Sequence, residues 1–360
     1  MFASETLKTL SKVSKSPDTI FFFPALNKRT SCSTKRLRRA WCRGIDLMQK
    51  ADESGTDRQE IVEIADMVSN GVCAVIVTFH PDPDVLENLS KVRQQVQGLV
   101  VVDNGSPQGA IHRLRSASHQ VGFELIENGE NLGIGAALNT GIRWAEANAF
   151  EWVILFDQDS AVTEGFMDAM LHAFENISKR DRLGILVPRY VDKRSGIPLP
   201  QDAAKSGGLE TAMTSGSLMR VSSFREHGLF EEELFIDSVD SEYSLRLRSS
   251  GHLIEECRDA VLLHSPGHPT VLRLWGVRLF QTANYSAVRR YYQDRNRIWL
   301  TRKYWKIFPK FCLRLYRDSF KEHAKTILGE DQKWNKCYCA GLGILDGLRG
   351  HMGKFDRNRD

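Results

Sequence analysis

The chain has 360 residues, 42% hydrophobic and 26% charged, with a formal net charge of +4. That composition describes a globular chain long enough for a full core and excludes collagenous, disordered and coiled-coil classes. No apolar run reaches the roughly 20 residues of a spanning helix, and the run at 20–26 is broken by Pro24 and followed by basic residues, so neither a membrane span nor a signal peptide is expected.

Residues 1–70 are dominated by Ser, Thr, Lys and Arg, with only a weak helical pattern at Ile61, Ile64, Ala65 and Val68. They predict a basic, partly disordered extension that catalysis does not need. The text changes at Gly71. Residues 72–79 are a continuous apolar run ended by His80-Pro81-Asp82-Pro83, followed by a helical pattern at Val85, Leu86, Leu89, Val92 and Val96. A second run, residues 98–102, ends in Asp103-Asn104-Gly105-Ser106-Pro107. After another helix come a strand at 123–127, a helix at 135–147 and a strand at 152–156. Short apolar strands alternating with amphipathic helices predict an α/β domain, a mostly parallel sheet covered by helices. Ligands of such sheets bind at the carboxyl ends of the strands, where the polar clusters lie.

Beyond Asp159 the alternation loosens, with a helix near 166–177, a strand at 183–188 and a strand at 260–263. The expected division is a core of residues 71–274, with a first half to 160 and a second from 161, then a basic, aromatic helical region at 275–360. Residues 1–45 carry ten Lys/Arg against two acids, and residues 286–325 twelve against three, around an acidic middle. The basic flanks point to an anionic membrane surface; solvated helix faces are the plain alternative. The acidic middle speaks against nucleic acid. Seven cysteines, with only Cys337 and Cys339 close together, argue against a disulfide framework or zinc site and for a reducing, cytoplasmic setting.

The sharpest chemical signal is Asp157-Gln158-Asp159 directly after a buried strand. Two carboxylates at a sheet edge suit a hard divalent cation, Mg²⁺ or Mn²⁺, which commonly shares its coordination with substrate phosphates. Asp103 ends the second strand, where a carboxylate can accept from a nucleobase. Asn131-Leu132-Gly133-Ile134-Gly135 enters a helix whose free N–H groups suit a diphosphate, although tight turns and helix packing explain the glycines equally. No dinucleotide-type glycine fingerprint follows the first strand.

Together these segments resemble family 2 glycosyltransferases of the GT-A fold over roughly residues 72–264, and the forms Asn131-Leu-Gly-Ile and Leu155-Phe-Asp157-Gln-Asp-Ser160 are most similar to the rhamnosyltransferase branch. The resemblance implies an inverting transfer, with dTDP-L-rhamnose as donor, onto a hydroxyl of a glycan or lipid-linked acceptor in bacterial surface polysaccharide synthesis. It implies donor contacts at Thr78, His80, Asp103, Asn131, Gly133 and Asp157, and a metal on Asp159, Asp157 and His264. Acceptor-side residues would be Ser215, Gly216 and Glu242. The catalytic base would be Asp240, with Asp237 acting on it; the segment Asp237-Ser238-Val239-Asp240-Ser241-Glu242 departs from the family's usual acidic pattern. The enzyme would work in the cytoplasm, seated peripherally on the inner membrane through residues 286–325. A nucleotide-sugar-binding scaffold without turnover and a sugar-phosphate nucleotidyltransferase are the rival readings. Intact Asp157, Asp159 and Asp240 oppose the first, and the missing Gly-rich basic signature near the first strand opposes the second.

Overall fold

The computed structural model describes residues 71–202, 207–264, 270–274 and 277–356. The expected basic extension and the weak helical pattern at 61–68 lie outside them, as does His268.

The first half follows the expected alternation. Strand β1 (Val72–Thr78) leads to helix α1 (Val85–Arg93), β2 (Gly98–Asp103), α2 (Gln108–Ala117), β3 (Glu124–Glu127), α3 (Ile134–Ala147) and β4 (Trp152–Asp157). These strands run parallel in the order β3-β2-β1-β4. Every residue of β1 and β2 is buried, which is why their sequences are unbroken rather than alternating. In register, Thr78 lies level with Asp103 and Val77 with Asp157, so three polar clusters finish at one edge.

The second half makes the sheet mixed. After the two-residue β5 (Ala161–Val162) and α4 (Phe166–Asn176) come β6 (Leu183–Asp192), β7 (Leu218–Arg220), α5 (Val221–His227), α6 (Val239–Ser249) and β8 (Leu253–His264). Strand β7 runs antiparallel to both β4 and β6, while β8 lies parallel to β6 and antiparallel to β5. A hairpin of β9 (Thr270–Leu274) and β10 (Val277–Thr282) precedes α7 (Ala287–Tyr304), α8 (Pro309–Gly329) and α9 (Lys333–Arg349). No helix among the described residues is long and apolar enough to cross a membrane.

Helix α7 departs most from expectation. Its sequence reads as a basic surface helix, yet Arg290, Asp294, Arg295 and Asn296 are all buried. Helix α9 covers it, and Gly343 and Gly347 let the two backbones approach: a Cβ at either would lie within 3 Å of the α7 backbone. Arg290 and Lys336 both pair with the fully buried Glu330, so the charges are compensated where water is excluded.

Helix α3 shows how tightly the first half is packed. A Cβ on Gly141 would fall 2.3 Å from Cγ1 of the fully buried Val75, a branched side chain with no room to retreat. Gly141→Ala is therefore expected to destabilise the fold by about 1–3 kcal/mol through overpacking, read as a lower urea midpoint with an unchanged denaturant slope.

Candidate active site

The first wall of the site is a loop built around Asp103. Its carboxylate is 1% exposed and accepts from Thr78 Oγ1 (3.1 Å), Ser106 Oγ (2.5 Å), Ser106 N (2.8 Å) and Gly105 N (3.2 Å). Ser106 Oγ accepts in turn from the His80 amide at 2.9 Å. Thr78 is itself fully buried. Asp103 and Thr78 thus shape the turn after β1, while exposed His80 carries its surface. Asn104 extends the network, donating to Asn131 Oδ1 (3.1 Å) and accepting from the Leu132 amide (3.1 Å). Asn131 Oδ1 also accepts from Gly133 N at 2.9 Å.

Gly133 sits at φ +90°, and a Cβ there would lie 2.7 Å from the Phe235 carbonyl oxygen. That oxygen accepts from Ile134 N at 2.7 Å. The glycine is needed because the donor-side loop touches the backbone of the segment leading to Asp237 and Asp240.

The second wall comes from β4. Pairing of Ala161 with Leu263 and of Val162 with Leu262 pulls the loop after Asp157 against the end of β8. Ligand atoms of Asp157, Asp159 and His264 consequently lie within 4.8 Å of one another. Burial pushes the Asp157 carboxyl up to about 6, and the charge of Asp159 pushes in the same direction. Nδ1 of His264 is buried without a hydrogen-bond partner. Two crowded carboxylates and an unused imidazole nitrogen form a donor set that fits Mg²⁺ or Mn²⁺. Gln158 faces the other way: it accepts from Phe79 N (2.8 Å) and donates to Phe79 O (3.2 Å), stapling this loop to the end of β1. Ser215 Oγ accepts from Asp157 N (3.1 Å) and bonds Ser160 Oγ (2.6 Å). Gly216 N donates to Leu155 O at 2.6 Å. Ser215 and Gly216 therefore lie directly behind the acidic loop.

Three acids flank the start of α6 in three different environments. Asp237 forms an ion pair with Arg289 of α7, Nη2 to Oδ1 at 3.0 Å. Glu242, expected on the acceptor side, is fully buried, with its carboxylate held by Arg246, by Lys303 Nζ at 2.8 Å and by Tyr304 Oη at 2.8 Å. Burial alone would raise its pKa, but Arg246 and Lys303 hold it below the ordinary carboxylate value. Its role in this geometry is to brace α6 against α7. Asp240 accepts from Ser241 N at 2.7 Å and has no ion pair among the described residues. Burial pushes it up to about 6, with the charge of Asp237 adding to the shift.

The segment before α6 is strained, with Phe235, Asp237 and Ser238 at φ of 63°, 63° and 66°. It is held from α7. Asn296 Nδ2 donates to the carbonyls of Leu234 (3.0 Å), Ile236 (2.8 Å) and Asp237 (2.9 Å). Arg295 Nη2 donates to the carbonyls of Glu233 (3.0 Å) and Leu234 (2.9 Å). Sequence reading did not single out Arg289, Arg295 or Asn296. The adjacent pair Arg-Asn in a charged helix was the one available hint, and it carries no period.

A model of the family described as glycosyl transferase family 2 matches residues 73–227. The dTDP-rhamnosyl transferase RfbF of Shigella flexneri is 30% identical over 304 residues, covering 79% of this chain and 98% of that protein. The chain belongs to glycosyl transferase family 2. This family 2 enzyme is also 26% identical to the N-acetylglucosaminyl-diphospho-decaprenol L-rhamnosyltransferase of Mycobacterium tuberculosis, over 54% of the chain and 76% of that protein. Among solved structures, the mannosyltransferase PcManGT of Pyrobaculum calidifontis is similar, with a TM-score of 0.49 and 15% identity over 89% of this chain and 88% of that one.

The carbonyl clamp yields a prediction for the glycosyltransferase. Asn296→Ala leaves the Ile236 and Asp237 carbonyls of a strained, half-buried segment without that donor. It should lower kcat by about 10- to 100-fold through misplacement of the α6 acids, while donor Kd stays close to wild type. Steady-state kinetics and donor titration check it; an unchanged kcat would show that the segment holds its shape without the clamp.

Proposed function

We propose that the enzyme transfers L-rhamnose from dTDP-L-rhamnose, with inversion, onto a hydroxyl of a lipid-linked or polysaccharide acceptor in bacterial surface glycan synthesis, working at an anionic membrane surface on the cytoplasmic side. The donor reading is supported by the similarity to RfbF over nearly the whole of that protein. The observation that carries the mechanism is the state of Asp240: of the three acids at α6 it alone lacks a cation partner, and it lies on the side of the sheet edge where Asp157 feels its charge.

In this reading the turn built on Thr78, Asp103 and Ser106 presents His80 and the Asn131–Gly133 loop to the nucleotide. Asp157, Asp159 and His264 would hold a divalent cation, which supplies positive charge to the departing nucleoside diphosphate. Asp240 accepts the acceptor hydroxyl's proton as the oxygen attacks the anomeric carbon. Its elevated pKa makes it a better proton acceptor while leaving it mostly ionised at pH 7. Asp237, tied to Arg289, sets its position and charge environment. A cleft of about 660 Å³ lined by Asp237, Ser238, Asp192 and residues of α7 and α8 is the acceptor's seat. Ser215 and Gly216 support the acidic loop from behind, and Glu242 fixes the angle of α6.

Asp240→Asn should lower kcat by at least about 10²-fold, the scale of a lost general base, with donor Kd little changed. Asp237→Asn should be milder. In the wild type the base must be ionised, so at saturating metal, which keeps Asp157 ionised, kcat is expected to rise as the pH passes about 6 and to level off above it; Asp240→Asn should flatten that limb. A dead Asp237→Asn beside a near-normal Asp240→Asn would move the role to Asp237.

For the cation, Asp159→Asn and chelation by EDTA should each remove nearly all release of dTDP from the donor, and Mn²⁺ or Mg²⁺ should restore the chelated wild type. Asp157→Asn should lose less, since burial already disfavours the ionised form of its carboxyl. Full turnover in EDTA would overturn the metal assignment.

A further inference from the structure

We infer that the outward faces of α8 and α9 form the surface that docks on an anionic lipid bilayer. The inference deepens the membrane reading above by naming the surface, and it depends on neither the sugar nor the metal. On α8, Leu313, Tyr316, Phe320 and Ile327 follow one another at steps of three, four and seven and are 58%, 43%, 77% and 49% exposed. On α9, Trp334, Tyr338, Leu345 and Leu348, at steps of four, seven and three, are 78%, 64%, 40% and 62% exposed. Both spacings mark one helix face, the kind that normally packs inward. Here each helix has already made its inward contacts with the opposite face. Leu315, Ser319 and Glu322 of α8 line the acceptor cleft, and Cys339, Ala340, Gly343 and Gly347 of α9 are buried. Trp305 and Ile307, between α7 and α8, are exposed as well. Apolar exposure on this scale, concentrated on two neighbouring helices, marks an interaction site rather than scattered surface residues.

The charges select the occupant. Lys306, Lys310, Arg317, Lys321, Lys333 and Arg349 are exposed along these helices; Asp318 pairs with Arg317 and Lys321, and Asp331 is the other exposed acid, so the rim stays net basic. Aromatic and aliphatic residues rimmed by Lys and Arg are the composition of a helix lying in a membrane interface. Two alternative occupants have the wrong sign, whereas residues 46–70, with seven acids against two basic residues, do not. Residues 1–45 carry a net +8, and a second copy would bring one basic rim against another. An anionic bilayer complements both the apolar stripes and the rim. Helix α7, whose Arg290, Asp294 and Arg295 are buried, drops out of the surface expected at 286–325, and α9 enters it. With the bilayer on one side of α8 and the cleft on the other, a lipid-borne acceptor would cross about 10 Å, one helix width, to reach the cleft that Asp237 lines.

The test uses the full-length protein in flotation with two kinds of vesicle, phosphatidylcholine alone and phosphatidylcholine mixed equally with phosphatidylglycerol. Wild type should float with the anionic vesicles, stay behind with the neutral ones, and be released by salt. The double variant Phe320→Ser, Trp334→Ser should bind anionic vesicles at least about tenfold more weakly, while its thermal unfolding and its release of dTDP from donor in solution match wild type. Wild-type-like flotation of the double variant, or equal binding to neutral vesicles, overturns the proposal. So does a wild type that ignores both kinds of vesicle, whether or not it sediments as a dimer which the double variant dissociates. A wild type that floats but releases no dTDP would instead count against the rhamnosyl reading and leave the surface assignment standing.

Discussion

The site depends on a few hydrogen bonds between distant parts of the chain. The amide of Asn296 and the guanidinium of Arg295 reach from α7 to the carbonyls of residues 233, 234, 236 and 237. The carbonyl between them, Phe235, is taken by Ile134 at the mouth of α3. A stretch with three non-glycine residues at positive φ would relax without such partners. Held in this way, it keeps the donor-side loop on one flank and the acids of α6 on the other. The cost of burying Arg295 is offset by three backbone acceptors in two segments, Glu233 and Leu234 before α6 and Gly353 beyond α9.

The electrostatic arrangement follows from that fixation. Asp237, Asp240 and Glu242 stand within six residues, yet one is paired at the edge, one is unpaired and one is sealed inside a network. Local sequence alone would make them interchangeable acids favouring a helix N-terminus. Their differences come from α7, which supplies Arg289 to Asp237 and Lys303 and Tyr304 to Glu242, and gives Asp240 nothing. Asp157 and Asp159 meet His264 because the two-residue β5 pairs with the end of β8.

What could be read from the sequence was what is encoded locally. Runs such as Val72-Cys73-Ala74-Val75 are fully apolar because both faces of the strand are covered, and each ends in the polar cluster that builds the site. The strand-end clusters around Asp103, Asn131 and Asp157 were visible for that reason. The inner roles were not. Asp103 spends its carboxylate on its own turn, and Glu242 turns into the protein. Arg295 and Asn296 act across some 60 residues of chain, and a hydrogen bond of that reach leaves no periodic trace. Helix α7 was hidden by its charge, since a helix with this many Arg residues reads as solvated until its partners are seen. The parallel half of the sheet was evident from alternation, but the antiparallel β7 is too short to announce its direction.

The placement of α7 and Gly353 also bears on the order in which the enzyme becomes competent during synthesis. The sheet and the nucleotide turns are complete once the ribosome has passed β8, and domains generally begin to fold from the N-terminal side. The groups that hold the segment before α6, on α7 and at Gly353 beyond α9, arrive later. A nascent chain therefore owns the loops built on Asp103 and Asn131 well before the acids of α6 are fixed in place.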